Sequence, residues 1–188
     1  MATVETSPPE APLPDDEMLY EVVNGQIVEK LVGTQALWIA SNLAYLLGHF
    51  ARTQELGTHY VEMLFLIDRP TKLRRRPDLA FVSRERHPIR RKPPDSAAWD
   101  MVPDLAVEII SPWDKGTEIL TKLEEYFRAG VRVVWLIWPD QAKVYVYDSP
   151  TSTRILQVGD DLDGGAVVPG FRLPVATLFA DETDGPGS

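Results

Sequence analysis

The stretch Val131 to Trp138 is of strand length and apolar at every position except Arg132. A strand without polar alternation has no face to offer water, so it belongs in the middle of a sheet covered on both sides. Leu105 to Ile110, upstream, has the same character and is interrupted only by Glu108. Between the two runs a helix is predicted from about residue 115 to 129, stopping at Gly130, a natural C-terminal cap. The rest of the chain must supply the layers that cover these strands. Tyr20–Val23, Asn24–Gly25 and Gln26–Glu29 read as a tight hairpin, because Asn-Gly tolerates the positive φ values of a two-residue turn. Residues 34–51 carry Ile39, Leu43, Leu46 and Phe50 on one stripe and read as a helix. Strands are expected at 58–67, with a turn at Asp68-Arg69-Pro70, at 78–82 and at 143–147, with one or two weaker ones beyond. Residues 84–103 read as a loop with room for a short helical turn. This order predicts an α/β fold, a mixed β-sheet flanked by helices with an N-terminal β-hairpin.

At 188 residues the chain suits one domain, expected over 18–179, with flexible tails at 1–17 and 180–188. Cysteine is absent, which excludes disulfides, thiolate zinc sites and cysteine nucleophiles. With no bilayer-length apolar run and an acidic, Pro-rich start unlike a signal peptide, a cytoplasmic, non-membrane location is expected. The net charge of -9 argues against a nucleic-acid partner until its distribution is considered. Residues 69–92 hold ten of the 19 Lys and Arg against only Asp78 and Glu85. Such a run is either a solvated loop or a surface that follows a phosphate backbone, since charges separated by more than about 8 Å are screened from one another at physiological salt.

That run brackets a candidate site. Alternation along Leu105–Ile110 sends Glu108 to a face it shares with Ala106 and Ile110, so its carboxylate sits in an apolar layer and needs a partner. Asp78 opens the short strand after Pro77. If the two strands pair, about 4.8 Å apart, both acids reach the same hard cation. Lys122 flanks the inward stripe Ile119, Leu123, Tyr126 and Phe127, from which its stem can carry an ammonium into the same pocket. Each residue also has a plainer reading. Glu108 can pair with an arginine, Asp78 can cap a turn, and Lys122 can sit at the surface beside Glu118 or Glu125. The histidines show no ligand spacing, and Ser111 lacks a base.

Tyr20-Glu21, Asn24-Gly25, Arg76-Pro77-Asp78-Leu79 and Pro103 to Pro112, followed by Lys122, Tyr126, Gly130-Val131 and Trp135-Leu136-Ile137, together resemble one family. It is the Uma-two-type restriction endonuclease family, formerly a domain of unknown function and abundant in bacteria, within the PD-(D/E)XK nuclease superfamily. The resemblance covers residues 18–148 and implies a restriction-endonuclease-like fold. It makes Asp78 and Glu108 the acids of the motif. Lys122 is similar to the family's relocated lysine, Ile110 standing where the superfamily motif has one. Glu21 matches an acidic residue of the family that completes the site. Ala36 departs from the pattern, falling where the family carries a histidine.

The resemblance implies a metal-dependent endonuclease that hydrolyses DNA. Asp78, Glu108 and the carbonyl of Ile109 would hold Mg²⁺, with Mn²⁺ as a substitute, and Lys122 would position or help deprotonate the attacking water and stabilise charge on the phosphate. Lys72, Arg74, Arg75, Arg76, Arg90, Arg91 and Lys92 are the expected DNA contacts, and a homodimer would address both strands. Two other readings stay open: a nuclease-like fold that binds nucleic acid or protein without cutting, and a phosphoesterase acting on small substrates.

Overall fold

A computed structural model describes residues 18–180. The expected tails at 1–17 and 180–188 lie outside the described residues, apart from Ala180. The N-terminal hairpin forms as expected, with β1 (Tyr20–Val23) antiparallel to β2 (Gln26–Glu29) and both turn residues at positive φ, Asn24 at 51° and Gly25 at 74°. Helix α1 spans Thr34–Thr53 and leads into β3 (Gly57–Val61). Strands β4 (Phe65–Asp68) and β5 (Leu73–Arg75) join the hairpin in a four-stranded sheet of order β2-β1-β5-β4.

The larger sheet contains β3, β6 (Leu79–Ser83), β7 (Leu105–Ile109), β8 (Val133–Trp138), β9 (Lys143–Ser149) and β10 (Ser152–Gln157), in the order β10-β9-β8-β7-β6-β3. Helix α2 (Gly116–Ala129) links β7 to β8, the one parallel pair in this sheet, since parallel neighbours need a crossover rather than a hairpin. Gly130 ends α2 at φ 101°, a left-handed position that glycine takes without a Cβ penalty. Short strands β11 (Asp161–Asp163) and β12 (Arg172–Pro174) form a separate pair.

Both apolar runs occupy the interior of the six-stranded sheet, as their lack of alternation requires. Leu79, Phe81, Leu105, Val107, Ile109, Trp135 and Ile137 pack on the α1 side with Ile39, Leu43 and Leu47. Ala80, Val82, Ala106, Ile110, Val134 and Leu136 face Leu123 and Tyr126 of α2. Burying each large aliphatic side chain contributes about 1.5–3 kcal/mol.

Two expectations need correction. The run 58–67 is two strands in different sheets, because the backbone turns at Glu62, whose φ is 49°. The segment after Pro70 is not only a turn: Leu73–Arg75 is itself a strand, held between β1 and β4. The loop 84–103 opens with a single turn, in which the amide of His87 donates to the carbonyl of Ser83 at 3.0 Å. Among the described residues, no helix is long and apolar enough to cross a membrane.

Candidate active site

Strand register brings the predicted acids together. β6 and β7 pair with Leu79 opposite Val107 and Ala80 opposite Ala106, so one further step sets Asp78 opposite Glu108. Alternation points both toward α2, on the face of Ala80 and Ala106. The amide of Ile109 donates to Asp78 Oδ2 at 2.5 Å, tying the two strand ends together. Both acids are buried.

Lys122 reaches the pair from α2. Its Nζ donates to Glu108 Oε2 at 2.9 Å and lies 3.1 Å from Glu21 Oε1. Helix spacing brings Tyr126, four residues on, to the same place, and its hydroxyl donates to Glu108 Oε1 at 2.5 Å. Glu21, on β1, also accepts from the Arg76 amide at 2.9 Å and from Arg75 Nη1 at 2.6 Å. Glu108, Lys122 and Glu21 therefore share one hydrogen-bonded network, and Asp78 is tied to the same place through the Ile109 amide that follows Glu108.

Sequence reasoning missed two members, Lys30 and Glu62. β3 pairs with β6 in the register Val61 to Leu79, and the Glu62 amide donates to the Asp78 carbonyl at 3.3 Å. Glu62, Asp78 and Glu108 thus form a row across three neighbouring strand ends. Lys30, just after the hairpin, donates to Glu62 Oε2 at 2.8 Å and lies 2.7 Å from Asp78 Oδ1. Nothing in the local sequence marks either residue. Their signal is the strand register, which appears only once β3 is known to end before Glu62.

The electrostatics follow from crowding charge in a dry place. Burial raises the Glu108 carboxyl above its ordinary value despite the pull of Lys122, and Asp78 adds to the rise. Burial likewise pushes Glu62 up to about 7, against the pull of Lys30. Burial would also raise Glu21, but Lys122, Arg75 and the Arg76 amide outweigh it and hold its carboxyl below the usual value. Burial disfavours the Lys122 ammonium, yet Glu108 and Glu21 more than offset this and keep it protonated. Lys30 is held in the same way by Asp78, Glu108 and Glu62. Tyr126 is raised by burial and by Glu108, so its phenol remains a donor.

Five carboxyls, Glu21, Glu62, Asp78, Glu108 and Glu125, face three paired cations, Lys30, Arg75 and Lys122. Arg76 adds a further positive charge beside Glu62 and Glu21, and the carboxyl oxygens are hard donors. Among the described residues, no three His, Cys, Asp or Glu side chains converge as a ready-made metal cage. The available set is two carboxylates, Asp78 and Glu108, beside the main-chain carbonyl of Ile109. This suits Mg²⁺, which keeps several waters and takes phosphate oxygens.

The basic stretch does not form one surface. Arg75 is 8% exposed and is ion-paired to Glu21 and Glu125, so it faces inward rather than toward a ligand. Arg76 donates to the carbonyls of Tyr20 and Glu62 and lies over the Tyr20 ring. Arg86 is fixed to Asp104 and to the carbonyls of Val102 and Gly130. Arg90, Arg91 and Lys92 are exposed but follow the Ser83 end of β6, about 17 Å of strand from Asp78. Lys72, exposed, and Arg74, half-buried, lead into Asp78 from β5.

None of the curated proteins matches this sequence. Among solved structures, the chain is similar to a protein from Anabaena variabilis described as "a putative nuclease belonging to DUF820". The two share 20% identity and a TM-score of 0.76 over 89% of this chain and 93% of that one, a likeness that establishes the nuclease-like fold. The sequence model of one family matches residues 10–176, nearly the whole length. The chain accordingly belongs to the Uma2 family, described as "Putative restriction endonuclease".

Proposed function

We propose that the protein is a divalent-metal-dependent endonuclease that hydrolyses DNA phosphodiester bonds. Family membership supports nuclease activity in general. The observation that carries the finer reading is the pairing of Asp78 with Glu108 on one face of the sheet, beside a buried lysine.

In this reading Asp78, Glu108 and the Ile109 carbonyl hold Mg²⁺ or Mn²⁺. When bound, the ion polarises a phosphoryl oxygen and lowers the pKa of a bound water. Lys122, kept protonated by Glu108 and Glu21, acts as a hydrogen-bond donor: it orients the attacking water and stabilises charge on the phosphoryl oxygens. It does not take a proton while both acids flank it. Glu21, held by Arg75 and the Arg76 amide, sets the direction of the Lys122 ammonium. Tyr126 fixes one oxygen of Glu108 and leaves the other toward Lys122. Lys72, exposed and six residues before Asp78, and Arg74, four before it, are assigned the flanking phosphates; backbone contacts of this kind carry no sequence preference.

Plasmid nicking in Mg²⁺ or Mn²⁺ tests the proposal, comparing the wild type with Asp78→Ala and Glu108→Ala. Cleavage by the wild type alone is expected. Equal cleavage by all three overturns the assignment. A second reading, a nuclease fold that binds without cutting, has the resemblance behind it: that likeness implies a histidine at position 36, and α1 carries Ala36 there. Salt-sensitive DNA binding with no cleavage in either metal supports that reading instead.

A further inference from the structure

Lys30 has no role in the site as assigned so far, yet its surroundings are unusual for a lysine. Its ammonium has three N–H donors, and three oxygens surround it. Asp78 Oδ1 lies at 2.7 Å, Glu62 Oε2 at 2.8 Å and the Arg76 carbonyl at 2.8 Å. The side chain is only 12% exposed, so the charge is held by these partners and not by water. Asp78 is fixed from both sides as a result, with Oδ1 toward Lys30 and Oδ2 toward the Ile109 amide. The strand register explains why a cation is needed there. Glu62 and Asp78 end neighbouring strands, as Asp78 and Glu108 do, so the row has two gaps between carboxylates. A buried row of this kind is stable only if each gap is balanced.

We propose that the Lys30 ammonium is a built-in cation filling the gap between Glu62 and Asp78, a positioning residue that orients Asp78 and lets the site work with one divalent ion rather than two. The inference rests on the reading of Asp78 and Glu108 as metal ligands. Two-metal phosphodiesterases place their ions about 3.5–4 Å apart around a shared carboxylate. In this protein Asp78 has the sharing position, and lysine covers its second side. An ammonium cannot be exchanged or removed by chelation, so the orientation of Asp78 does not depend on metal supply.

Mn²⁺ titration by calorimetry on the full chain tests this, with folding of each variant checked by circular dichroism. The wild type is expected to take up one ion per chain. Lys30→Met exposes three oxygens to one another and is expected to take up two, while Lys30→Met combined with Glu62→Gln returns to one. Where Lys30→Met folds poorly, Lys30→Gln, which leaves a neutral hydrogen-bond donor among the three oxygens, gives the reading instead: two ions support the role of Lys30 and one overturns it. Two ions in the wild type, or one ion in a folded Lys30→Met, overturns the role of Lys30 and leaves the Asp78–Glu108 site standing. No ion in the wild type removes both.

Discussion

Replacing Arg75 by methionine separates a structural arginine from a DNA-binding one. The guanidinium is 8% exposed and bridges Glu21, at 2.6 Å, to Glu125. Methionine roughly preserves the stem volume but leaves Glu125, itself 11% exposed, without its arginine partner, and strips Glu21 of one of its two cations. Removing one partner of a buried pair costs about 3–5 kcal/mol, most of it from the charge left behind. An exposed pair such as Arg84 with Glu85, at 57% and 70% exposure, contributes far less, because water and salt screen it. The Arg75→Met variant is therefore expected to lose about 3–5 kcal/mol in urea unfolding with an unchanged m-value, and about 6–20 °C in Tm. Adding Glu125→Gln neutralises the stranded acid and is expected to recover part of the loss, giving a coupling that a double-mutant cycle measures. A loss below about 1 kcal/mol, accompanied by weaker and less salt-dependent DNA binding, would refute the structural assignment and return Arg75 to the nucleic-acid surface.

Further expectations concern protonation, the distant basic cluster and the tyrosine. Glu62 binds its proton more tightly folded than unfolded, its carboxyl rising from 4.5 to about 7, so its contribution is fully present below the ordinary carboxyl value and is lost as pH rises through about 7. Denaturation midpoints of wild type and Glu62→Gln should therefore diverge in favour of the variant between about pH 5 and 8, and parallel profiles would contradict this. Substituting Arg90, Arg91 and Lys92 together by alanine should leave single-turnover cleavage within about twofold, because these exposed side chains lie at the far end of β6. A large drop in rate would show that the substrate reaches that end. Tyr126→Phe removes a donor from buried Glu108 and should cost about 1.5–3 kcal/mol, read by urea unfolding.

The parts of the molecule that were legible in the sequence are those governed by local rules. Asn24-Gly25 dictates its turn, Gly130 its helix end, and the unalternating runs around Val107 and Trp135 their place inside the sheet. Asp78 and Glu108 could be paired because Glu108 lies on β7 and Asp78 one step before β6, and the alternation of both short strands is readable. The break at Glu62 was hidden because neither glycine nor proline marks it. β5 was hidden because a three-residue strand of Leu73, Arg74 and Arg75 looks like loop until β1 and β4 are seen on either side of it. Arg75 illustrates the general limit. Its neighbours in sequence suggest a phosphate-binding run, while its meaning lies with Glu21, 54 residues away. Lys30 is similar, since the acids it balances come from two other strands.

The account as a whole depends on a divalent ion settling between Asp78 and Glu108 next to the Ile109 carbonyl. Amide resonances followed through a Mg²⁺ titration report on that place directly. Ile109 and Ile110 are expected to shift in the wild type and to stay still in Glu108→Ala, while Ser83 and Asp104, at the other end of the same strands, move in neither. Unmoved Ile109 and Ile110 resonances in the wild type, or equal shifts in the variant, would contradict the metal site and the hydrolytic function built on it.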